Sequence, residues 1–282
     1  MSIKEKLESL GRNSIQLKIA RKETYKLGAT RFGGKPDVPP DFVWPTYEGE
    51  SYDHVVKDRP LTFLAQFNCA ELAQFDKEHF LPDHGLLSFF YETDTQCWGY
   101  DPKDQGCARV YWFEDTSALS SVDFPADMEE DFKFPMVKIK MDSKTSYPSW
   151  QDFSEMFPDE KDDDAFNDAL DELTGEDPEN PDDRSQLLGW PDIIQNNMTL
   201  QCELISRGYY LGGSWENIPM EERSALRTPS VREWQLLFQL DTVENGDFEL
   251  MFGDCGRIYF YIRREDLVQR RFDRVWLIQQ CC

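Results

Sequence analysis

With 282 residues, 40% of them hydrophobic and 14% aromatic, the chain is long enough for a sizeable core and too rich in aromatics to be largely disordered. Its formal net charge of -24 opposes nucleic-acid phosphates and anionic membranes, both of which are bound by neutralising charge with Lys and Arg. The same field attracts basic partners.

Ile3, Leu7 and Leu10 share one helical face, with Ser2 placed to cap and Gly11 to stop, which predicts a short N-terminal helix. Ile15, Leu17 and Ile19 then alternate with Gln16 and Lys18, the pattern of a strand with one buried face. The Gly- and Pro-rich run from Leu27 to Pro45 predicts a long ordered loop, since it also carries Phe32, Phe42 and Trp44. In "LTFLAQFN", Leu61, Phe63, Ala65 and Phe67 are expected on one core-facing side of a strand. Between Pro158 and Arg184 thirteen acids face two bases, a net of -11 that leaves -13 for the rest of the chain. Within it, Ala165, Phe166, Ala169, Leu170 and Leu173 fall at helical spacing, with Asp162 as cap and Gly175 as end. An amphipathic helix with an acidic outer face is expected there, followed by an acidic linker over 176–185. Glu244–Asp247, "ENGD", reads as a hairpin turn.

Three stretches recur in order. "LTFLAQFN" (61–68) matches "WQLLFQLD" (234–241), placing Trp234, Leu236, Phe238 and Leu240 on one face and aligning Gln66 with Gln239. "PDHGLLSFFYE" (82–92) matches "GDCGRIYFYIR" (253–263), each an Asp-x-Gly turn feeding an aromatic strand. "FGGKPDV" (32–38) matches "LLGWPDI" (187–193), each with Gly-x-Pro-Asp. The ordered set reads as a diverged internal duplication.

Those stretches, with "GGKPDVPPDFVWP", "PLTFLAQFNCAEL" and the closing "RFDRVWLIQQC", resemble the YwqG-like family, bacterial proteins grouped as a domain of unknown function. The resemblance covers nearly the whole chain. It implies a duplicated α+β fold rich in antiparallel strands and no established activity.

No catalytic or cofactor signature is complete. "ATRFGGKP" departs from a phosphate loop at Ala29 and Pro36, and "GYYLGG" (208–213) lacks the second Gly of a dinucleotide fingerprint. "DTVENGDFELMF" lacks calcium ligands at Val243 and Phe252. The seven cysteines contain no C-x-x-C pair, and His54, His79 and His84 are the only histidines, so no metal site is expected. His84 and Cys255 hold matching positions in the two Asp-x-Gly turns; they are turn residues, or a base and thiol if the halves bring them together. Gln66 and Gln239, if buried, must find partners, either the backbone of a neighbouring loop or a ligand. Arg31 and Trp44 flank the Gly-Pro loop and either pack under it or wall a ligand site.

The expected fold is α+β, an internal duplication of two related halves rich in antiparallel strands, packed as one compact body. The divisions are 1–150 for the first half with its N-terminal helix, 151–185 for an acidic helical connector and 186–282 for the second half. The leading functional expectation is a non-enzymatic interaction module, inhibitor- or antitoxin-like, that binds a basic protein. The rival is a small-ligand binder or hydrolase-type enzyme with a site between the halves, using Arg31, Trp44, Gln66 and Gln239. No cofactor, nucleic acid or membrane partner is expected. The first twenty residues hold no apolar core of signal-peptide length, and odd, irregularly spaced cysteines read as reduced thiols in the cytoplasm.

Overall fold

Ten strands form one antiparallel sheet in the computed structural model, which describes residues 1–20, 25–175, 184–245 and 248–282. The strands in chain order are β1 (Arg12–Ile19), β2 (Arg31–Phe32), β3 (Asp37–Val38), β4 (Thr46–Glu50), β5 (Val56–Pro60), β6 (Thr62–Asn68), β7 (Leu86–Tyr91) and β8 (Ala108–Phe113). There follow β9 (Ser120–Ser121), β10 (Val137–Ser146), β11 (Gln186–Leu188), β12 (Trp234–Leu240), β13 (Val243–Asn245), β14 (Phe248–Leu250), β15 (Arg257–Arg263) and β16 (Trp276–Gln280). The helices are α1 (Ile3–Leu10), α2 (Cys69–Leu72), α3 (Trp150–Met156), α4 (Asp163–Thr174), α5 (Thr199–Ser206), α6 (Met220–Glu233) and α7 (Arg264–Val268).

The sheet order is β16-β15-β12-β11-β1-β10-β2-β6-β7-β8, five strands on either side of the β1–β10 ladder. The first strand of the chain therefore sits beside β11, late in sequence. Pairs β3–β9, β4–β5 and β13–β14 form separate two-stranded ribbons. The last of these is the hairpin expected around Glu244, although Gly246 and Asp247 lie outside the described residues. The acidic linker expected at 176–185 also lies outside them, apart from Arg184 and Ser185.

Local chemistry sets the helix ends. Ser2 and Glu5 form a capping box on α1: the Ser2 Oγ accepts from the Glu5 N–H at 3.2 Å and Glu5 Oε2 accepts from the Ser2 N–H at 2.7 Å. Asp162 caps α4 through the Ala165 N–H at 2.9 Å, and Gly175 ends it in the left-handed conformation. The apolar side of α4, centred on Phe166 and Ala169, packs with Leu7 of α1 and Phe153 of α3.

The strand faces differ from strict alternation. The β6–β7 register shifts between Phe63 and Ala65, and the β12–β15 register shifts between Leu236 and Phe238. An extra residue at a bulge turns every later side chain to the other face. So Leu61 and Phe63 pack with Phe90 in one cluster, while Leu64, Ala65 and Phe67 enter the main core. Likewise Trp234 and Leu236 pack beneath α5, whereas Leu237, Phe238 and Leu240 join the main core. Each strand thus serves two cores rather than the single one expected.

The sheet curls until its two wings touch, in a shape close to a barrel. Phe238 of β12 meets Phe89 of β7 at 4.8 Å between ring centroids and Phe67 of β6 at 5.4 Å. Phe260 of β15 meets Phe89 at 5.3 Å. Burying an aromatic ring of this kind contributes about 1.5–3 kcal/mol. Phe238→Ala removes the ring shared by both wings and is expected to destabilise the fold by about 3–5 kcal/mol. Urea denaturation followed by both fluorescence and circular dichroism checks this: one transition should move as a whole, and separate transitions for the two wings would contradict the shared core.

Candidate functional site

The Gly-Pro loops of both wings are held by a buried glutamine. Gln66 is fully buried on β6; its Oε1 accepts from the Asp37 N–H at 3.1 Å, and its Nε2 donates to Ala29 O at 2.9 Å and Asp37 Oδ2 at 2.7 Å. Gln239 is fully buried on β12; its Oε1 accepts from the Asp192 N–H at 2.9 Å and its Nε2 donates to Arg184 O at 2.5 Å.

Around Gln66 the charges are paired as well, although the buried Arg31 Nε has no hydrogen-bond partner among the described residues. Arg31 is 3% exposed and donates from its guanidinium to Asp37 Oδ2 at 2.8 Å and to Lys35 O at 2.5 Å. Asp37 also accepts from the Tyr25 hydroxyl and the Gly28 N–H, each at 2.8 Å. Burial pushes the Asp37 carboxyl up, but Arg31, Gln66 and Gly28 together outweigh it and hold the group below its ordinary value. In the other wing Asp192 meets Arg257 at 2.5 Å and Arg184 at 3.3 Å nearer to solvent.

The four residues singled out in sequence do not converge. Arg31 and Gln66 share Asp37. Gln239 serves the other wing. Trp44 is half-buried, donates from its indole N–H to Leu61 O at 2.9 Å and packs edge-on against Phe90 at 5.7 Å. His84 and Cys255 keep different company: His84 pairs with Asp83 at 2.7 Å, and Cys255 lies exposed beside Asp254, whose charge raises its thiol. Among the described residues no group of three or more His, Cys, Asp and Glu side chains is set to hold a metal ion.

A cleft forms elsewhere, where segment 95–104 of the first wing meets segment 195–215 of the second. The segment is strapped to β16, where the Gln279 N–H donates to Trp98 O at 3.0 Å and the Trp276 indole to Gly99 O at 2.9 Å, and to the stretch after α5, where the Leu211 N–H donates to Tyr100 O at 2.7 Å. Gly99 has a φ of +78°, and a Cβ there would stand 1.8 Å from Leu277 O, so only glycine allows this approach. Two cavities open on either side of Tyr100. One of about 520 Å³ is lined by Tyr47, Thr95, Cys97, Asp104 and Tyr210; the other, of about 620 Å³, by Trp150, Gln201 and Trp215 among others. Neither Arg31, Trp44, Gln66 nor Gln239 lines them.

Cys97 is the thiol that lines the first cavity. Its sulfur lies 3.1 Å from the Thr95 hydroxyl. The neighbouring Cys107 thiol, and then Thr95 and Tyr47, lower the Cys97 thiol against the effect of burial. The same pairing, with burial, drives Cys107 well up. No histidine lines this cavity to serve as a base. Spacing in the sequence carries no signal for Cys97, because Cys107 and Tyr47 reach it only when 95–97 folds back on β4 and the residue that precedes β8.

Residues 30–281 match the family model described as Domain of unknown function (DUF1963), and the chain belongs to that family. No curated protein matches the chain. No helix among the described residues is long and apolar enough to cross a membrane.

Two measurements check this geometry. Arg31→Ala leaves Asp37 buried without its cation and is expected to cost about 3–5 kcal/mol in urea denaturation. Because the folded Asp37 carboxyl sits below its ordinary value of 3.8, its stabilisation is complete above that value and is lost as pH falls through the depressed one. Asp37→Asn should therefore lose less stability than the parent on acidification from about pH 4 to pH 2. Separately, the pH midpoint of iodoacetamide labelling, read by peptide mass spectrometry, should be lower for Cys97 than for Cys255. Thr95→Val should raise the Cys97 midpoint.

Proposed function

We propose that the protein is a cytoplasmic, non-enzymatic interaction module that presents an acidic face to a basic protein. The observation that carries this reading is α4. Asp163, Asp164, Asp168, Asp171 and Glu172 are all exposed, while the opposite side of the helix is buried on α1 and α3. Among the described residues only two ion pairs, Lys4–Glu172 and Lys6–Glu160, answer charge from residues 158–175. A face of one sign steers an oppositely charged partner and loses its grip as salt screens it.

A second reading, a small ligand in the cleft between the wings, is favoured by the two cavities at Tyr100. It uses residues other than the four expected, since Gln66, Gln239 and Arg31 are already saturated or paired.

With either function we read the chain as YwqG-like and as a diverged duplication divided at 1–150, 151–185 and 186–282. Three correspondences support the duplication. Arg31 pairs in register with Gln66 as Gln186 does with Gln239. The bulges fall at Leu64 and Leu237, and each glutamine receives the N–H of its own Gly-x-Pro-Asp aspartate. In this division β1 crosses over: it belongs to the first half in sequence and is the fifth strand of the second half's wing.

The test of the acidic face is native mass spectrometry of protein purified gently from its own cells at low salt. A basic protein should accompany the parent chain, fall away as salt rises, and be absent when Asp163, Asp164, Asp168 and Asp171 are all changed to Asn. An association indifferent to both salt and the four substitutions would sink the proposal.

A further inference from the structure

The larger cavity at Tyr100 is furnished for a ligand of a particular kind. Three half-buried aromatic rings, Tyr100, Trp150 and Trp215, line it. Trp150 is backed by Phe153, stacked at 5.8 Å, and by Phe166 at 5.2 Å, which fix the plane of the indole. Trp215 is tethered through its indole N–H to Leu211 O at 3.4 Å. Rings held in this way form a rigid platform and lose little entropy when a ligand stacks on them.

The polar groups narrow the class. Gln201 lies in the first turn of α5, is 6% exposed and lines the cavity; its buried Oε1 has no hydrogen-bond partner among the described residues. A buried amide oxygen without a partner inside the protein is free to accept from a donor that enters the cavity. The Tyr100 hydroxyl also belongs to the lining, and burial pushes it up to about 12, so it stays a neutral donor and acceptor. The charged residues of the lining, Glu155 and Arg227, pair with each other. An amide and a phenol each donate and accept, which matches hydroxyl groups. A self-compensated lining in a chain of net charge -24 offers nothing to an anion.

We propose that this cavity binds a neutral polyhydroxylated ring, a sugar, with its C–H face on Trp150 and Trp215 and its hydroxyls on Gln201 and Tyr100. The inference deepens the second reading, that of a small ligand in the cleft, and is independent of the acidic face.

The experiment is saturation-transfer NMR of the full chain at millimolar ligand, using glucose, galactose, mannose, N-acetylglucosamine, maltose, cellobiose and lactose, with adenosine as a neutral non-sugar. Transfer onto the ring C–H protons of at least one sugar is expected, unchanged by added salt. Trp215→Ala, at a partly exposed site, should weaken that sugar about tenfold, the scale of losing one stacking contact. Gln201→Leu, close in volume, should also weaken it and serves if Trp215→Ala does not fold, as judged by circular dichroism. No transfer to any sugar in the folded chain, or transfer indifferent to both substitutions, overturns the proposal. Transfer to adenosine alone also overturns it, while leaving a small-ligand cleft in place; silence from the whole set counts against the cleft reading too.

Discussion

The contact of Phe67 and Phe89 with Phe238 and Phe260 is the constraint on which the rest of the fold depends. Strands β2 and β11, which join each wing to the centre, have only two and three residues. So few ladder hydrogen bonds, each worth about 1 kcal/mol net, cannot hold the wings at a fixed angle. The aromatic cluster does so instead, because rings at 4.8–5.8 Å allow little sliding without opening a void. Once the wings are fixed, segment 95–104 is brought against β16, and the cleft at Tyr100 exists.

The bulges at Leu64 and Leu237 explain how one strand can serve that cluster and a second core. Before the bulge the side chains face the outer helices or the Phe42–Trp44 cluster; after it they face the shared interior. Each glutamine follows the bulge by two residues, and this places its amide under the Gly-Pro loop. The loop's aspartate is then ordered by a side chain whose own position depends on an irregularity in the sheet.

Much of the framework was legible in the sequence. The recurring "QFN" and "QLD" segments, the Asp-x-Gly strands and the caps of α1 and α4 are local signals, and each appears where its chemistry calls for it. The bulges were not legible, because an unbroken apolar run fits either face once both are buried. Helix α6, with Pro229 inside it and apolar residues spread without a stripe, carried no periodic signal, and tertiary packing against α5 and β12 decides it. The candidate cleft was hidden for a different reason. Tyr100 is far in sequence from Gln201 and Trp215, and each looks ordinary alone; only the meeting of the two wings brings them to one cavity. Conversely, Arg31, Gln66 and Gln239 stood out in the sequence because structural ties, like binding sites, need specific polar groups at fixed places.

The strap over β16 has a further consequence. A sheet that does not close completely leaves its outermost strands with outward-pointing amides, and such rims recruit extended segments of other chains. Here the Gln279 amide is already taken by Trp98, and Gly99 lies so close to Leu277 that no foreign backbone fits between them. The far rim, β8, is packed by the turn Phe272–Arg274. The strapped rim is therefore closed to augmentation by another strand, and a partner that meets the protein there must read side chains.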